Sequence, residues 1–454
     1  MGLGLFGGGS AVARHFATKG DEVTVTDLRD AYELSPALEE LADLDLHLVL
    51  GEHREEDFTE AEVVVANPAV RPSNPYLELA RSSGARITSE VALFLDLCPC
   101  EVIAITGTQG KSSTCSYLAQ LLAQGPRRVH LGGNIGRSLL AHITEISADD
   151  LVVLELSSYQ LESLPDELMR SRADSPIGIA GIVNVLSDHL ERHGTREEYA
   201  RAKLRLAELL RPGGTLVLPD DPLPVEIGTP GDLRLRYHGR RDIRAEADRF
   251  LCGQEALGEA RDCPFEAPFQ RSNVALALGL GRIAGLSTEA LAAGLASLHG
   301  LPHRLDPVGR LDGRPLWDNG VSTTPDSTIS ALEGLPPGAI LLLGGQVKRL
   351  DLAPLIEACR QHEAQVVIFG AAREAWPAAF AAAGLPAATA ASPCEALDRA
   401  RELEGSGVLF SPACSSFDAY ANFKARAQEF LAHAAQLGLV PLAGPPTGST
   451  PSRK

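Results

Sequence analysis

The sequence predicts an α/β protein of three blocks built on mainly parallel sheets, and three observations predict it. Short apolar, often β-branched runs bounded by Gly, Pro or Asp recur along the chain. Ala- and Leu-rich stretches with helical spacing lie between many of them, and strands alternating with helices form parallel sheets wrapped by helices. Length is the third: 454 residues, at roughly 100–200 residues per domain, supply about three cores.

In order, the expected strands are residues 23–26, 46–50, 63–66, 102–105, 152–156, 179–185, 216–218, 340–343, 366–369 and 408–410. Helical spacing marks residues 113–123, 199–210 and 287–298. One strand–helix series ends near Cys98-Pro99-Cys100 and another break falls near Leu301-Pro302, which gives blocks 1–97, 98–302 and 303–454. The Pro-, Gly- and Ser-rich end from about residue 445 reads as a disordered tail.

Composition narrows the function classes. Asp and Glu outnumber Lys and Arg by 59 to 41, a net charge of −18, which opposes non-specific attraction to nucleic acid or anionic lipid. No apolar run is long enough to span a bilayer, and the N-terminus shows no basic segment followed by an apolar core and cleavage site. A cytoplasmic protein that inserts in no membrane and binds no nucleic acid is expected. The eight cysteines are scattered; Cys98 and Cys100 lack both CxxC spacing and a second pair for zinc, so reduced buried thiols fit them.

Residues 105–113, ITGTQGKSS, follow an expected strand and open a helix. In that context backbone N–H groups and a helix N-terminus cradle phosphate, Lys111 adds a point charge, and the Ser112 hydroxyl suits Mg²⁺. Ile105 breaks the general GxxxxGK[ST] rule, so by spacing alone a plain strand–turn–helix stays open. Gly2, Gly4 and Gly7 satisfy GxGxxG, with Asp27 ending the next strand about 20 residues later as in the dinucleotide fingerprint. Only Met1 precedes these glycines, so a Gly-rich first turn, or a start codon recorded too late, remain alternatives.

Glu155 lies inside an apolar strand, where a carboxylate is costly unless paired or bound to a cation. Asp188 and His189 follow another strand at its C-terminal end, the edge where open α/β sheets bind ligands. Lys203, between Arg201 and Arg205 on a helix, reads by itself as a solvated charge.

Taken together, ITGTQGKSS, GGNIG at 132–136, LELSSYQLE at 154–162, NVLSDHLER at 184–192, YARAKLRL at 199–206, GLPHRLD at 300–306, LLLGG at 341–345 and SPACSSFDAYANF at 411–423 resemble the Mur ligases of peptidoglycan synthesis. The resemblance implies a Rossmann-like N-terminal domain for a UDP sugar, a central P-loop ATPase domain and a Rossmann-like C-terminal domain that carries an amino acid. It implies an ATP-dependent ligase joining D-glutamate to UDP-N-acetylmuramoyl-L-alanine through an acyl phosphate, acting as a monomer with two Mg²⁺ ions. Gly107, Thr108, Gln109, Gly110, Lys111, Ser112 and Ser113 would hold ATP, joined by Asn273, Arg304 and Asn319. Ser112 and Glu155 would hold one Mg²⁺; His189 and an N6-carboxylated Lys203 would hold the other. Catalysis would fall to Lys111, Glu155, His189 and Lys203, and substrate binding to Leu5, Phe6, Asp27, Leu28, Arg29, Asn134, Ser157, Lys348, Ser416 and Phe423.

The chain departs from the family at several points. Gln109 and Gln270 replace usual Asn residues, Asn319 replaces a usual Asp, and Val321 replaces a usual Lys in the stretch 317–328. Losing that cation bears on how the acceptor carboxylates are held, and the STTPDST motif resembles a branch that adds L-glutamate, so acceptor stereochemistry stays open. Three further readings compete: a folylpolyglutamate synthase, against which GGNIG and the N-terminal block argue; an NAD-dependent oxidoreductase built on Gly2–Gly7; and a non-catalytic nucleotide-binding regulator, against which the retention of Lys111, Glu155, His189 and Lys203 argues.

Overall fold

The structure, a computed structural model, describes residues 1–441 except 6, 137, 167, 169–171, 187, 227, 229 and 348–350. Phe6, Lys348 and the expected tail therefore lie outside the described residues. The chain forms two compact units: Met1–Pro264 with Gln270–His299, and Phe265–Phe269 with Gly300–Lys454.

The first unit begins with two small parallel sheets. Strand β1 (Thr24–Asp27) pairs with β2 (His47–Leu50), and β3 (Val63–Val65) pairs with β4 (Arg86–Thr88). Among the described residues no strand precedes the glycine-rich segment. The backbone of Met1 and Gly2 instead bridges the two sheets: the Met1 amino group donates to Val65 O at 3.0 Å, Asn67 N to Met1 O at 3.0 Å, and Gly2 N to Thr26 O at 2.7 Å. Helix Gly8–Ala17 starts from Gly7, whose φ of 81° is a left-handed conformation that glycine adopts without strain. The helix passes so close to the first residues that a Cβ on Gly9 would lie 2.1 Å from Leu3 O.

Next come β5 (Glu101–Thr106), β6 (Val129–Gly133), β7 (Leu151–Glu155), β8 (Ile177–Ile182), β9 (Thr215–Pro219), β10 (Arg234–His238), β11 (Ile243–Ala245), β12 (Arg249–Cys252) and β13 (Glu255–Glu259). Among the described residues these form one sheet in the order β13-β12-β11-β10-β9-β8-β5-β7-β6. Pairing is parallel from β6 through to β11, and antiparallel from β11 to β13. The strands β5, β7 and β8 are apolar and covered on both faces, as parallel strands under helices must be. Their register aligns Ile105 with Glu155 and Thr106 with Ile182, so three chains leave the sheet side by side at its C-terminal edge. The expected strand 179–185 stops at Ile182, because Asn184 turns out to serve a loop rather than the ladder.

The second unit contains β14 (Asp306–Leu311), β15 (Arg314–Asp318), β16 (Ile340–Gly344), β17 (Gln365–Phe369), β18 (Ala388–Thr389), β19 (Val408–Ala413) and β20 (Val440–Pro441). Their order is β18-β17-β16-β19-β15-β14-β20. The run from β18 to β15 is parallel and β14 is antiparallel to both its neighbours, a Rossmann-like core with an added hairpin. Leu341, Leu343 and Ile368 belong to one apolar cluster, while Leu342, Val367 and Phe410 belong to another, the alternation expected when both faces of a sheet are covered. Phe410 stacks on Phe430 of helix Phe423–Gln436 with ring centroids 4.0 Å apart. No helix among the described residues is long and apolar enough to cross a membrane.

The close approach at Gly9 sets a testable expectation. Gly9→Ala should lower stability by about 1–3 kcal/mol, because the new methyl must displace backbone rather than a side-chain tip. A urea midpoint equal to that of the parent chain would show that the N-terminal segment yields freely.

Candidate active site

The loop between β5 and helix Lys111–Leu122 is shaped by two glycines. A Cβ on Gly107 would meet Val183 Cβ at 2.9 Å; Gly110, at φ 77°, caps the helix so closely under Asn273 that a Cβ would lie 2.5 Å from Asn273 Oδ1. Asn184 holds the loop from the β8 side. Its Oδ1 accepts from Thr108 N at 3.0 Å and Gln109 N at 2.9 Å, and its Nδ2 donates to Gln109 O at 3.2 Å. The Thr108 hydroxyl accepts from Leu186 N and Tyr199 Oη. Lys111 Nζ donates to Thr108 O at 2.8 Å, which keeps its ammonium over the loop at the positive end of the helix. Ser112 is buried and Ser113 half-buried in the first turn.

Glu155 ends β7 and is 1% exposed. Its Oε1 accepts from Asn134 Nδ2 at 2.9 Å, whereas its buried Oε2 has no hydrogen-bond partner among the described residues. Gly133 makes this approach feasible, since a Cβ there would lie 2.3 Å from Glu155 O, and its φ is +98°. An orphaned buried carboxylate oxygen fits a cation better than it fits a structural role. Asn134, expected at the UDP sugar, is thus found oriented by Glu155.

Lys203 overturns the solvated-charge reading of its helix, Arg196–Glu208: it is 1% exposed, donates from Nζ to Gly107 O at 2.7 Å, and lies 4.4 Å over the Tyr199 ring. Burial drives its amine far below the usual lysine value, and the charge of Lys111 pushes the same way. Asp188 and Glu155 oppose them. Lys111 and Lys203 therefore both bond to carbonyls of one loop, and Glu155 ends the strand beside the one that leads into it.

His189 stands apart in character. It begins the short helix Leu190–His193 at φ 53°, its side chain is half-exposed, and Nδ1 is 3.5 Å from Tyr159 Oη. Ser157 spends its hydroxyl capping helix Ser158–Glu162, in a reciprocal box with Gln160. Among the described residues no three His, Cys, Asp or Glu side chains converge on one metal position.

In the N-terminal sheets Asp27 is buried and accepts from Gly4 N and Arg29; burial pushes its carboxyl up, but the hydrogen bonds from the Arg29 side chain and from the backbone N–H groups of Arg29 and Gly4 together hold it below the usual carboxylate range. Leu5 and Leu28 project into solvent nearby in sequence, 47% and 67% exposed.

In the second unit the Asn319 Oδ1 accepts from Leu305 N and its Nδ2 donates to Ser411 Oγ. It holds the chain that carries half-buried Arg304. His303 pairs with buried Asp318 at 2.6 Å and meets the Phe423 ring edge-on. Ser416 is buried beside Ser415. The residue that sequence reasoning missed here is Arg426, fully buried, which donates to the carbonyls of Gly320, Gly344, Cys414 and Ser415. It ties together the chain ends after β15, β16 and β19. Its place between Phe423 and Phe430 on one helical face was the available signal.

Residues 105–227 match the family model of the Mur ligase middle domain, and residues 1–89 match that of the Mur ligase MurD-like N-terminal domain. The chain is 35% identical over 455 residues to the UDP-N-acetylmuramoylalanine--D-glutamate ligase of Roseiflexus sp. (strain RS-1), covering 95% of this chain and 96% of that protein. It is 32% identical to the ligase of the same name from Geotalea uraniireducens (strain Rf4), covering 94% and 95%. Among solved structures, the UDP-N-acetylmuramate-alanine ligase MurC of Thermotoga maritima aligns with a TM-score of 0.60 at 18% identity, covering 96% of this chain and 98% of that one. MurF from Acinetobacter baumannii aligns at 0.60 and 17%, covering 93% and 92%. The structural likeness, at such identities, speaks for the fold.

Replacing Arg426 by Met strips four buried carbonyls of a donor. At about 1 kcal/mol for each bond lost, Arg426→Met should lower stability by about 3 kcal/mol or more, read as a shift of the denaturation midpoint. A variant as stable as the parent would mean the loops hold themselves.

Proposed function

As the chain belongs to the Mur ligase family, we propose that it spends ATP to form the amide between UDP-N-acetylmuramoyl-L-alanine and D-glutamate. The observation that carries this reading is the hydrogen bond from buried Lys203 to the carbonyl of Gly107, which joins an unusual amine to the phosphate loop. Residues 1–97 would bind the UDP sugar through Asp27, Leu28, Arg29 and the Leu5–Phe6 turn. Residues 98–302 would bind ATP, and residues 303–454 the amino acid through Lys348, Ser416 and Phe423. The enzyme is read as a cytoplasmic monomer, in keeping with the cytosolic supply of ATP and nucleotide precursors.

A carboxylate is a poor electrophile, so its activation comes first. The substrate's terminal carboxylate attacks the γ-phosphorus of ATP and ADP departs, leaving an acyl phosphate. Lys111, held over the loop by Thr108 O, counters the charge on the β- and γ-phosphates. The amine of glutamate then attacks the acyl carbon, and the tetrahedral oxyanion collapses to amide and phosphate. Holding both partners together raises their effective concentration and keeps water from the acyl phosphate.

Ser112 and Glu155 would hold one Mg²⁺, and His189 with a carboxylated Lys203 the other; when bound, Mg²⁺ screens phosphate charge. The buried Glu155 Oε2 without a partner supports the first site. The second is supported by the depressed basicity of Lys203, because only a neutral amine adds to CO₂. That addition forms the N–C bond, releases one proton and turns a buried neutral amine into an anionic oxygen donor.

A second reading, L-glutamate as the acceptor, is favoured by Val321 where the family carries Lys. Incubation with ATP, Mg²⁺ and UDP-N-acetylmuramoyl-L-alanine should release phosphate and form product with D-glutamate and not with L-glutamate. Turnover with L-glutamate alone would transfer the assignment to the second reading, and turnover with neither would remove glutamate as acceptor. Lys203→Ala should lose at least a hundredfold in turnover and recover part of it when a short carboxylate such as formate is supplied. A folded variant that no carboxylate rescues would exclude the carbamate.

A further inference from the structure

Cys98 and Cys100 were expected as reduced buried thiols, and of the two the structure fully buries Cys100 alone. Cys100 is buried but Cys98 is only half-buried, and the two sulfurs face each other across Pro99 at 3.8 Å. They sit between helix Glu90–Leu97 and β5, in an open depression of 340 Å³ that Glu101, Arg127 and Arg211 also line. Arg127 and Arg211 both reach Glu101, at 3.1 and 2.7 Å, so two guanidinium groups are fixed at the rim. This is the end of β5 opposite the phosphate loop, and no step proposed for the ligase uses it.

We propose that Cys98 and Cys100 form a redox-reactive dithiol that exchanges with small-molecule disulfides and closes reversibly to an intramolecular disulfide. The sulfurs need to approach by about 1.8 Å to reach bonding distance, a change within reach of χ rotations on residues flanking a single proline. Access is available from the depression. The two thiols are also unlike one another: the hydrogen bond with Cys100 holds the Cys98 thiol below the usual range and raises that of Cys100. Cys98, the more exposed of the two, is the attacking thiolate and buried Cys100 the resolving thiol.

The chemistry balances with the disulfide as oxidant. The Cys98 thiolate attacks one sulfur of R–S–S–R, forming a mixed disulfide and expelling one RS⁻. Cys100, on losing its proton, attacks Cys98 Sγ and expels the second RS⁻. Two cysteine thiols are oxidised and one disulfide is reduced to two thiols, which carry away the two protons.

The test uses the full chain with glutathione disulfide, followed by mass mapping of the peptide spanning residues 98–100, with free cysteine in the same tube as a control for exchange. The expected product is that peptide lighter by two hydrogens, restored by dithiothreitol. In Cys100→Ser the mixed disulfide should accumulate on Cys98, and in Cys98→Ser position 100 should stay unmodified. A wild-type peptide that remains fully reduced after the free cysteine has exchanged would overturn the proposal. So would a stable glutathione adduct on both cysteines, since that outcome means the sulfurs do not close on each other.

Discussion

Shutting a lysine amine away from water beside a single peptide carbonyl is the constraint on which the central site rests. An ammonium ion in that position costs several kcal/mol, so Lys203 is pressed toward its neutral form. Placing it requires Gly107 O to be fixed in space, which in turn requires the whole loop to be rigid before any nucleotide arrives. Asn184 supplies that rigidity by binding the loop's N–H and C=O groups together. The same economy recurs at Glu155, where one oxygen is held by Asn134 and the other is left without a donor among the described residues.

Both devices depend on the central sheet. The parallel pairing of β7, β5 and β8 brings residues about 50 and 75 positions from the loop to the same edge, with Glu155, Gly107 and Val183 leaving adjacent strands. In the second unit the comparable service is rendered by one side chain: Arg426 reaches under three strand ends at once. A guanidinium has five N–H donors in a planar fork, which suits it to joining several carbonyls where a lysine would satisfy fewer.

The central parallel strands were legible because burial on both faces leaves unbroken apolar runs such as 102–105 and 340–343. The strands β10 to β13 were not, since Arg234, Arg236, Glu255 and Glu259 give their exposed positions the look of loops. Lys203 looked solvated because Arg201 and Arg205 flank it in sequence; only its family likeness marked it. The helical period held a subtler sign, with Tyr199, Ala200, Leu206 and Ala207 at four and three residues on either side, the positions that share a face. Asn184 was absorbed into an expected strand, because polarity after an apolar run does not reveal whether an amide will join a ladder or a loop. Family likeness placed Asn134 near the sugar; local geometry shows its amide on Glu155.

The loop's dependence on Asn184, Tyr199, Lys203 and Asn273 also bears on how the chain comes off the ribosome. The residues that bear the loop itself emerge first, yet everything that holds it in shape is translated roughly 75 to 165 residues later. A nascent chain ending near residue 150 has the phosphate-loop sequence without its frame, so nucleotide cannot reward partial folding; the N-terminal sheets must stand on their own apolar contacts until β8 and its following helix have been made.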